Sequence, residues 1–173
     1  MSASEPSAVS EHRAAAPTRV GVFVLTVSDT RTEATDSAGR AIRDLLTAEG
    51  HVVAGSRIVK DDPADVRATV EAALADPAVQ VVITTGGTGI TSRDGTYEAV
   101  AHLLEKRLDG FGELFRSLSY QDIGPAAMLS RAVAGTVGRK AVFVLPGSEH
   151  AVRLAVTKLI LPELGHIAQQ LAK

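Results

Sequence analysis

The residues best suited to chemistry stand together in Thr84-Thr85-Gly86-Gly87-Thr88-Gly89-Ile90-Thr91-Ser92-Arg93-Asp94-Gly95-Thr96. Three glycines within four positions permit positive φ and close approach of the backbone to a ligand, so that N–H groups can face phosphate oxygens. Arg93 brings a charge that phosphate pairs with, and Asp94 is a hard oxygen donor of the kind Mg2+ takes. The loop matches neither common phosphate motif. A Walker loop ends in Gly-Lys-Ser/Thr, whereas Gly89 is followed by Ile90 and Thr91, and a dinucleotide fingerprint needs a third glycine where Ser92 stands. A plain structural turn is the competing reading of the glycines, and Asp94 with Thr96 could serve only to cap a following helix.

These residues need elements to hold them. The apolar run 81–85 feeds the glycines and reads as a buried strand; residues 20–27 form a second such run, ending in Ser28-Asp29-Thr30-Arg31. Between them the spacing predicts a helix from Asp36 or Ser37 to Gly50, with Ala38, Ala41, Ile42, Leu45 and Leu46 on one face. A weaker strand over 52–59 follows and opens into Lys60-Asp61-Asp62-Pro63. Asp62 is placed to cap a helix with Pro63 at its first position and Val66, Val70, Ala73 and Leu74 as its buried stripe, closed by Asp76-Pro77. Strand, helix, strand, helix, strand implies right-handed crossovers and a parallel sheet covered on both faces, with ligand beyond the carboxyl ends of the strands. The loops carrying Ser28-Asp29, Asp61 and Gly86 to Asp94 all leave at that end.

After Asp94 a helix carrying Tyr97, Val100, Ala101 and Leu104 is expected, then a segment 110–120 that holds three of the six aromatics and reads as core or subunit packing. Residues 130–137 and 141–145 read as a hairpin around Gly138-Arg139, running into Pro146-Gly147-Ser148. Ser148 should cap a long closing helix bearing Val152, Ala155, Val156, Leu159 and Ile160, kinked or split by Pro162.

Composition narrows the function classes. With 45% hydrophobic residues but 3% aromatics, the core must be built from Val, Ala, Leu and Ile. A net charge of -2 offers nothing to nucleic acid or an anionic membrane, and no Cys means no thiol nucleophile or thiolate metal site. The five His lack metal spacing. Residues 1–18, rich in Ser, Ala, Glu and Pro, read as a disordered tail ahead of a single domain over 19–173, and the absence of long apolar runs predicts a soluble, cytoplasmic protein.

The succession Ser28-Asp29, Thr84-Thr-Gly-Gly-Thr-Gly89 with Arg93-Asp94 and Thr96, Gly110-Phe-Gly112, Leu129-Ser-Arg131 and Pro146-Gly-Ser148 resembles the MoaB/Mog family of molybdenum cofactor biosynthesis proteins. Residues 118–124 and Pro146-Gly-Ser-Glu149 look more like the MoaB branch. The resemblance implies a three-layer α/β/α sandwich with a mostly parallel sheet, assembled as a trimer or dimer of trimers. It further implies molybdopterin binding, adenylylation of molybdopterin with Mg-ATP, release of pyrophosphate, and hand-over to a molybdate-insertion enzyme. Matched by motif, Asp61 and Asp94 take the catalytic and Mg2+ positions, and Gly86, Gly87, Thr88 and Gly89 with Arg93 and Thr96 the nucleotide-phosphate loop. Ser28, Asp29, Ser130, Arg131, Pro146, Gly147 and Ser148 match the pocket wall. The alternative is a non-catalytic oligomer of the MoaB type that binds molybdopterin or nucleotide without turnover.

Overall fold

The structure is a computed structural model that describes Pro17 and residues 19–173. The tail expected over 1–18 lies outside the described residues, Pro17 excepted. Six strands form one sheet in the order β2-β1-β3-β6-β5-β4. β1 (Gly21–Val27), β2 (Val52–Val59), β3 (Val81–Thr85) and β6 (Lys140–Leu145) are parallel; β5 (Val133–Val137) pairs antiparallel with β6, and the two-residue β4 (Lys106–Arg107) pairs antiparallel with β5 at the edge. The apolar runs 81–85 and 141–145 are buried along their whole length because both faces are covered, whereas β2 is only half-buried as the opposite edge.

One layer packs α1 (Ser37–Ala48), α4 (Asp109–Ile123) and the C-terminal helices against Val22, Val24, Val81, Ile83 and Phe143. The other packs α2 (Pro63–Ala75) and the short α3 (Thr96–Ala101) against Leu25, Val27, Val82, Val142 and Val144. Alternate residues of one strand thus serve different layers, as the period of two requires. Burying a Val or Leu contributes roughly 1.5–3 kcal/mol, and here aliphatics dominate the core as the composition demanded. Phe115 is fully buried and stacks near Phe111, which meets Phe143 edge-on at 5.2 Å between centroids. Tyr120, grouped with Phe115 in the sequence reading, is 60% exposed.

The chain departs from expectation in three places. α3 ends at Ala101 rather than reaching Leu104, because Glu105 donates to the Thr136 carbonyl at 2.8 Å and draws the chain into β4. A 3-10 segment, Gly124–Leu129, follows α4. The closing helix is divided into α5 (Glu149–Ala155), a π-helical segment Val156–Ile160 and α6 (Leu161–Ala172). Pro162 lacks an N–H, and the wider π turn immediately before it accommodates the missing bond.

α1 leaves β1 towards one face, while α3 follows β3 on the opposite face. Adjacent parallel strands whose loops diverge in this way open a crevice at their carboxyl ends. It is bordered by the loops after β1, β2, β3 and β6.

Candidate functional site

The floor of the crevice is backbone. Gly86 and Gly87 have φ of +95° and +64°. A Cβ at Gly86 would lie 2.1 Å from the Val27 carbonyl oxygen, and one at Gly87 would lie 2.1 Å from Thr96 Oγ1 and 2.9 Å from Asp61 Oδ2. Both the dihedral and the space therefore require glycine. Gly89 is pressed against the Asp94 carboxylate, where a Cβ would approach Oδ2 to 2.6 Å. The loop is tied down by Gly86 N–H to the Leu145 carbonyl at 3.1 Å and Thr96 N–H to the Gly87 carbonyl at 3.0 Å. Thr96 is fully buried, yet among the described residues its hydroxyl has no hydrogen-bond partner.

The β6 loop closes the same corner. Thr85 Oγ1 donates to the Pro146 carbonyl at 2.8 Å, and Gly147 lies so near that its Cβ would be 3.2 Å from Gly86 Cα. Ser148 Oγ accepts from Ala151 N–H at 3.2 Å, so this hydroxyl caps α5 as its sequence position suggested. Ser28 Oγ accepts from the N–H groups of Thr30 and Arg31, closing the first turn. A hollow of about 200 Å³ lies between Ser28, Arg31, Gly86, Gly87, Gly147 and Asp36. Asp36 has 1% of its surface exposed and takes hydrogen bonds from Thr26 Oγ1 at 2.8 Å and Gly39 N–H at 2.9 Å. Its cap function was legible in the sequence; its place in the hollow was not, because both roles use the same residue type.

Three carboxylates and one guanidinium meet at the mouth. Asp29 Oδ2 accepts from the Arg93 guanidinium at 2.6 Å, while its Oδ1 accepts the Asp61 backbone N–H at 3.1 Å. Asp61 itself takes only a long contact from Gly95 N–H at 3.4 Å. Burial, then repulsion from Asp94 and Asp29, raises the Asp61 pKa, while the Gly95 N–H and Arg93 oppose the rise. Asp94 is held below the usual carboxylate value, first by the Thr91 hydroxyl at 2.5 Å and also by the Thr91 N–H at 2.9 Å. Asp94 does not cap α3, since the cap position is Gly95 and no side chain bonds there. Thr96 is the first residue of that helix.

Arg131 reaches the glycine loop from behind. Its Nε donates to the Thr88 carbonyl at 3.0 Å, its guanidinium pairs with Glu98, and the ring of Tyr97 lies 4.9 Å beneath it. Glu98 escaped the sequence reading because an acidic residue in the first turn of a helix is ordinary. Ser130 and Arg131 line a separate cleft of about 410 Å³ with Tyr97, Arg107, Arg116 and Met128. The sequence-predicted residues are thus divided. Ser28, Asp29, Asp61, Gly86, Gly87, Gly89, Arg93, Asp94, Thr96 and Gly147 gather at the crevice, while Ser130 and Arg131 face the neighbouring cleft and join the crevice through Thr88.

Among the described residues no group of three or more His, Cys, Asp or Glu could hold a metal ion. The Asp61 and Asp94 carboxylates lie against Gly87 and Gly89, and such oxygens are of the kind Mg2+ takes, one or two at a time, beside phosphate and water oxygens. Among the described residues no helix is long and apolar enough to cross a membrane.

Residues 23–166 match a family described as a probable molybdopterin binding domain. The chain is 56% identical over 164 residues to molybdenum cofactor biosynthesis protein B of Bacillus cereus, covering 94% of this chain and 97% of that protein. Its fold superposes on the crystal structure of the tungsten cofactor synthesizing protein MoaB from Pyrococcus furiosus with a TM-score of 0.81 at 38% identity, covering 91% and 100% of the two chains. The molybdopterin biosynthesis Mog protein of Mycobacterium ulcerans gives 0.79 at 28% identity, covering 88% and 99%. The glycine loop, the acidic mouth and these likenesses together make the chain a member of the MoaB/Mog family of molybdenum cofactor biosynthesis proteins, of the MoaB type.

Proposed function

We propose that this protein binds molybdopterin and adenylylates it with Mg-ATP, releasing pyrophosphate. The observation that carries the reading is the meeting of the Gly86–Gly87 backbone, Asp61, Asp94 and the unpartnered Thr96 hydroxyl at one crevice. In this reaction a terminal phosphate oxygen of molybdopterin attacks the α-phosphorus of ATP. The bond to the β-phosphate breaks and the electron pair leaves on pyrophosphate. No covalent nucleophile is required; the protein must bring two polyanions together and offset the charge on the leaving group. The glycine loop would present the backbone N–H groups that its own turn leaves unused and Arg93 a cation, while Asp61 and Asp94 would hold Mg2+. Mg2+ supplies charge neutralisation on the phosphates. Without a cation those carboxylates repel phosphate, which is why we assign them to metal and positioning rather than to proton abstraction.

The protein also forms a homo-oligomer, a trimer or dimer of trimers, in this reading. Leu108, Leu114, Tyr120, Ile123, Met128 and Leu129 are all exposed on α4 and its flanks in the single chain, an apolar band that a second copy suits. A molybdate-insertion enzyme would then take the adenylylated product.

Purified protein incubated with molybdopterin, ATP and Mg2+ should yield adenylylated molybdopterin and pyrophosphate, and Asp94→Ala should yield neither. Absence of product from folded wild-type protein that retains molybdopterin would leave the binding protein as the function.

A further inference from the structure

We propose that Asp29 is a positioning residue that holds Arg93 in reserve and surrenders it to the incoming polyphosphate. The inference rests on the nucleotide reading above. Through its two carboxylate oxygens Asp29 joins the loops after three strands. Oδ1 takes the Asp61 N–H of the β2 loop at 3.1 Å and Oδ2 takes the Arg93 guanidinium of the β3 loop at 2.6 Å, while Asp29 itself belongs to the β1 loop. Among the described residues this is the only hydrogen bond of the Arg93 side chain.

The pair has little structural work to do. The Arg93 and Asp29 side chains are 70% and 42% exposed, so water competes for both and the ion pair contributes little to stability. Its consequence is local instead: Arg93 is drawn from the glycine loop to the far wall of the crevice. A polyphosphate offers the guanidinium more charge and a bidentate geometry, and therefore displaces a single exposed carboxylate. The exchange leaves Asp29 Oδ1 on the Asp61 N–H, so the β2 loop keeps its position while Arg93 moves. After pyrophosphate departs, Asp29 recovers Arg93.

Asp29→Asn separates the two contacts, because the amide oxygen still accepts from Asp61 N–H while the charge that competes for Arg93 is gone. The probe is inorganic pyrophosphate with Mg2+ present, titrated calorimetrically at low salt into the wild type, Asp29→Asn, Arg93→Ala and the double variant. Asp29→Asn should tighten binding about threefold to tenfold when Arg93 is present and less than about twofold in the Arg93→Ala background. In turnover it should lower KM for ATP, whereas Asp29→Ala, which also frees the Asp61 N–H, should lower kcat. Thermal midpoints should coincide.

Equal tightening in both backgrounds would reduce Asp29 to a general charge effect and overturn the proposal, as would weaker binding by Asp29→Asn. Failure of wild-type protein to bind pyrophosphate would remove the adenylyltransferase reading and this role with it. Wild-type binding and turnover matched unchanged by Asp29→Asn would overturn the role of Asp29 alone.

Discussion

Arg131 and Arg93 each meet a carboxylate beside the same glycine loop, and they are held in opposite ways. The Arg131 side chain is 26% exposed and has a backbone carbonyl, an aromatic face and Glu98 around it. Arg93 is 70% exposed and has Asp29. An arginine that satisfies the Thr88 carbonyl and stacks on Tyr97 belongs to the architecture, because removing it leaves a polar group and an apolar face without their partner. An arginine held by one carboxylate in water can exchange that partner at small expense. The site thus has a fixed half, around Thr88, Tyr97, Glu98 and Arg131, and an exchangeable half, around Asp29, Asp61, Arg93 and Asp94. In both halves the cation is the first cause that lowers the partner carboxylate, so Asp29 and Glu98 remain ionised well into the acid range.

The sharpest test of the division is Asp61→Asn. If Asp61 positions the metal as proposed, its loss should reduce kcat by about a thousandfold. Stability should move the other way. The Asp61 pKa is raised in the folded state, so its protonated form is favoured there. The stability it contributes is present below the unfolded pKa and is lost as pH rises through the folded one, which makes the carboxylate a burden at neutral pH. The amide should therefore raise the thermal midpoint by about a degree or two. A fall in midpoint would place Asp61 in the fixed half.

Arg131→Ala should affect both activity and stability: a loss of kcat/KM of about a hundredfold and a destabilisation of about 2–3 kcal/mol, read by denaturant melts. Arg93→Ala should raise KM for ATP about tenfold with an unchanged melt. If the two arginine variants melt alike, the comparison fails. The same Arg93 variant carries a pH signature. If Asp61 holds the metal as proposed, activity needs it ionised; its pKa is raised above the ordinary 3.8, and Arg93 is a charge that pulls it down. The acid limb of kcat/KM should consequently move to higher pH in Arg93→Ala.

The smallest effect is expected from Thr96→Val. Its hydroxyl is buried without a partner, so an isosteric methyl should leave the melt within about 0.5 kcal/mol of wild type or above it. A measurable loss of ATP affinity in that variant would show that the orphaned hydroxyl faces ligand; an unaltered affinity would assign it to the fixed half.

Much of this organisation was legible beforehand. Periodicity placed β1, β2, β3, α1 and α2 because each has a long apolar pattern with a cap or glycine at its end, as with Asp36 before α1 and Asp62-Pro63 before α2. It missed β4, since Lys106-Arg107 is two exposed charged residues that become a strand only by pairing with Gly135 and Thr136. It overextended α3, whose end is decided by that same pairing. Tyr120 and Phe115 are aromatics on one helix that the sequence reads alike, and packing sends Phe115 to the core and Tyr120 to the surface.

At the site, residue type and spacing alone determined the glycine loop, with its need for positive φ, and the supply of acidic and basic groups that a phosphate and its cation require. The tertiary structure decided who meets whom. Asp29, Asp61 and Arg93 are separated by tens of residues, and they touch because β1 lies between β2 and β3 and delivers all three loops to one edge. Arg131 is joined to Thr88 and Glu98 by the hairpin of β5 and β6 returning beside β3. Local chemistry is written in neighbouring residues, whereas partner choice among several like charges depends on the distances that sheet order imposes.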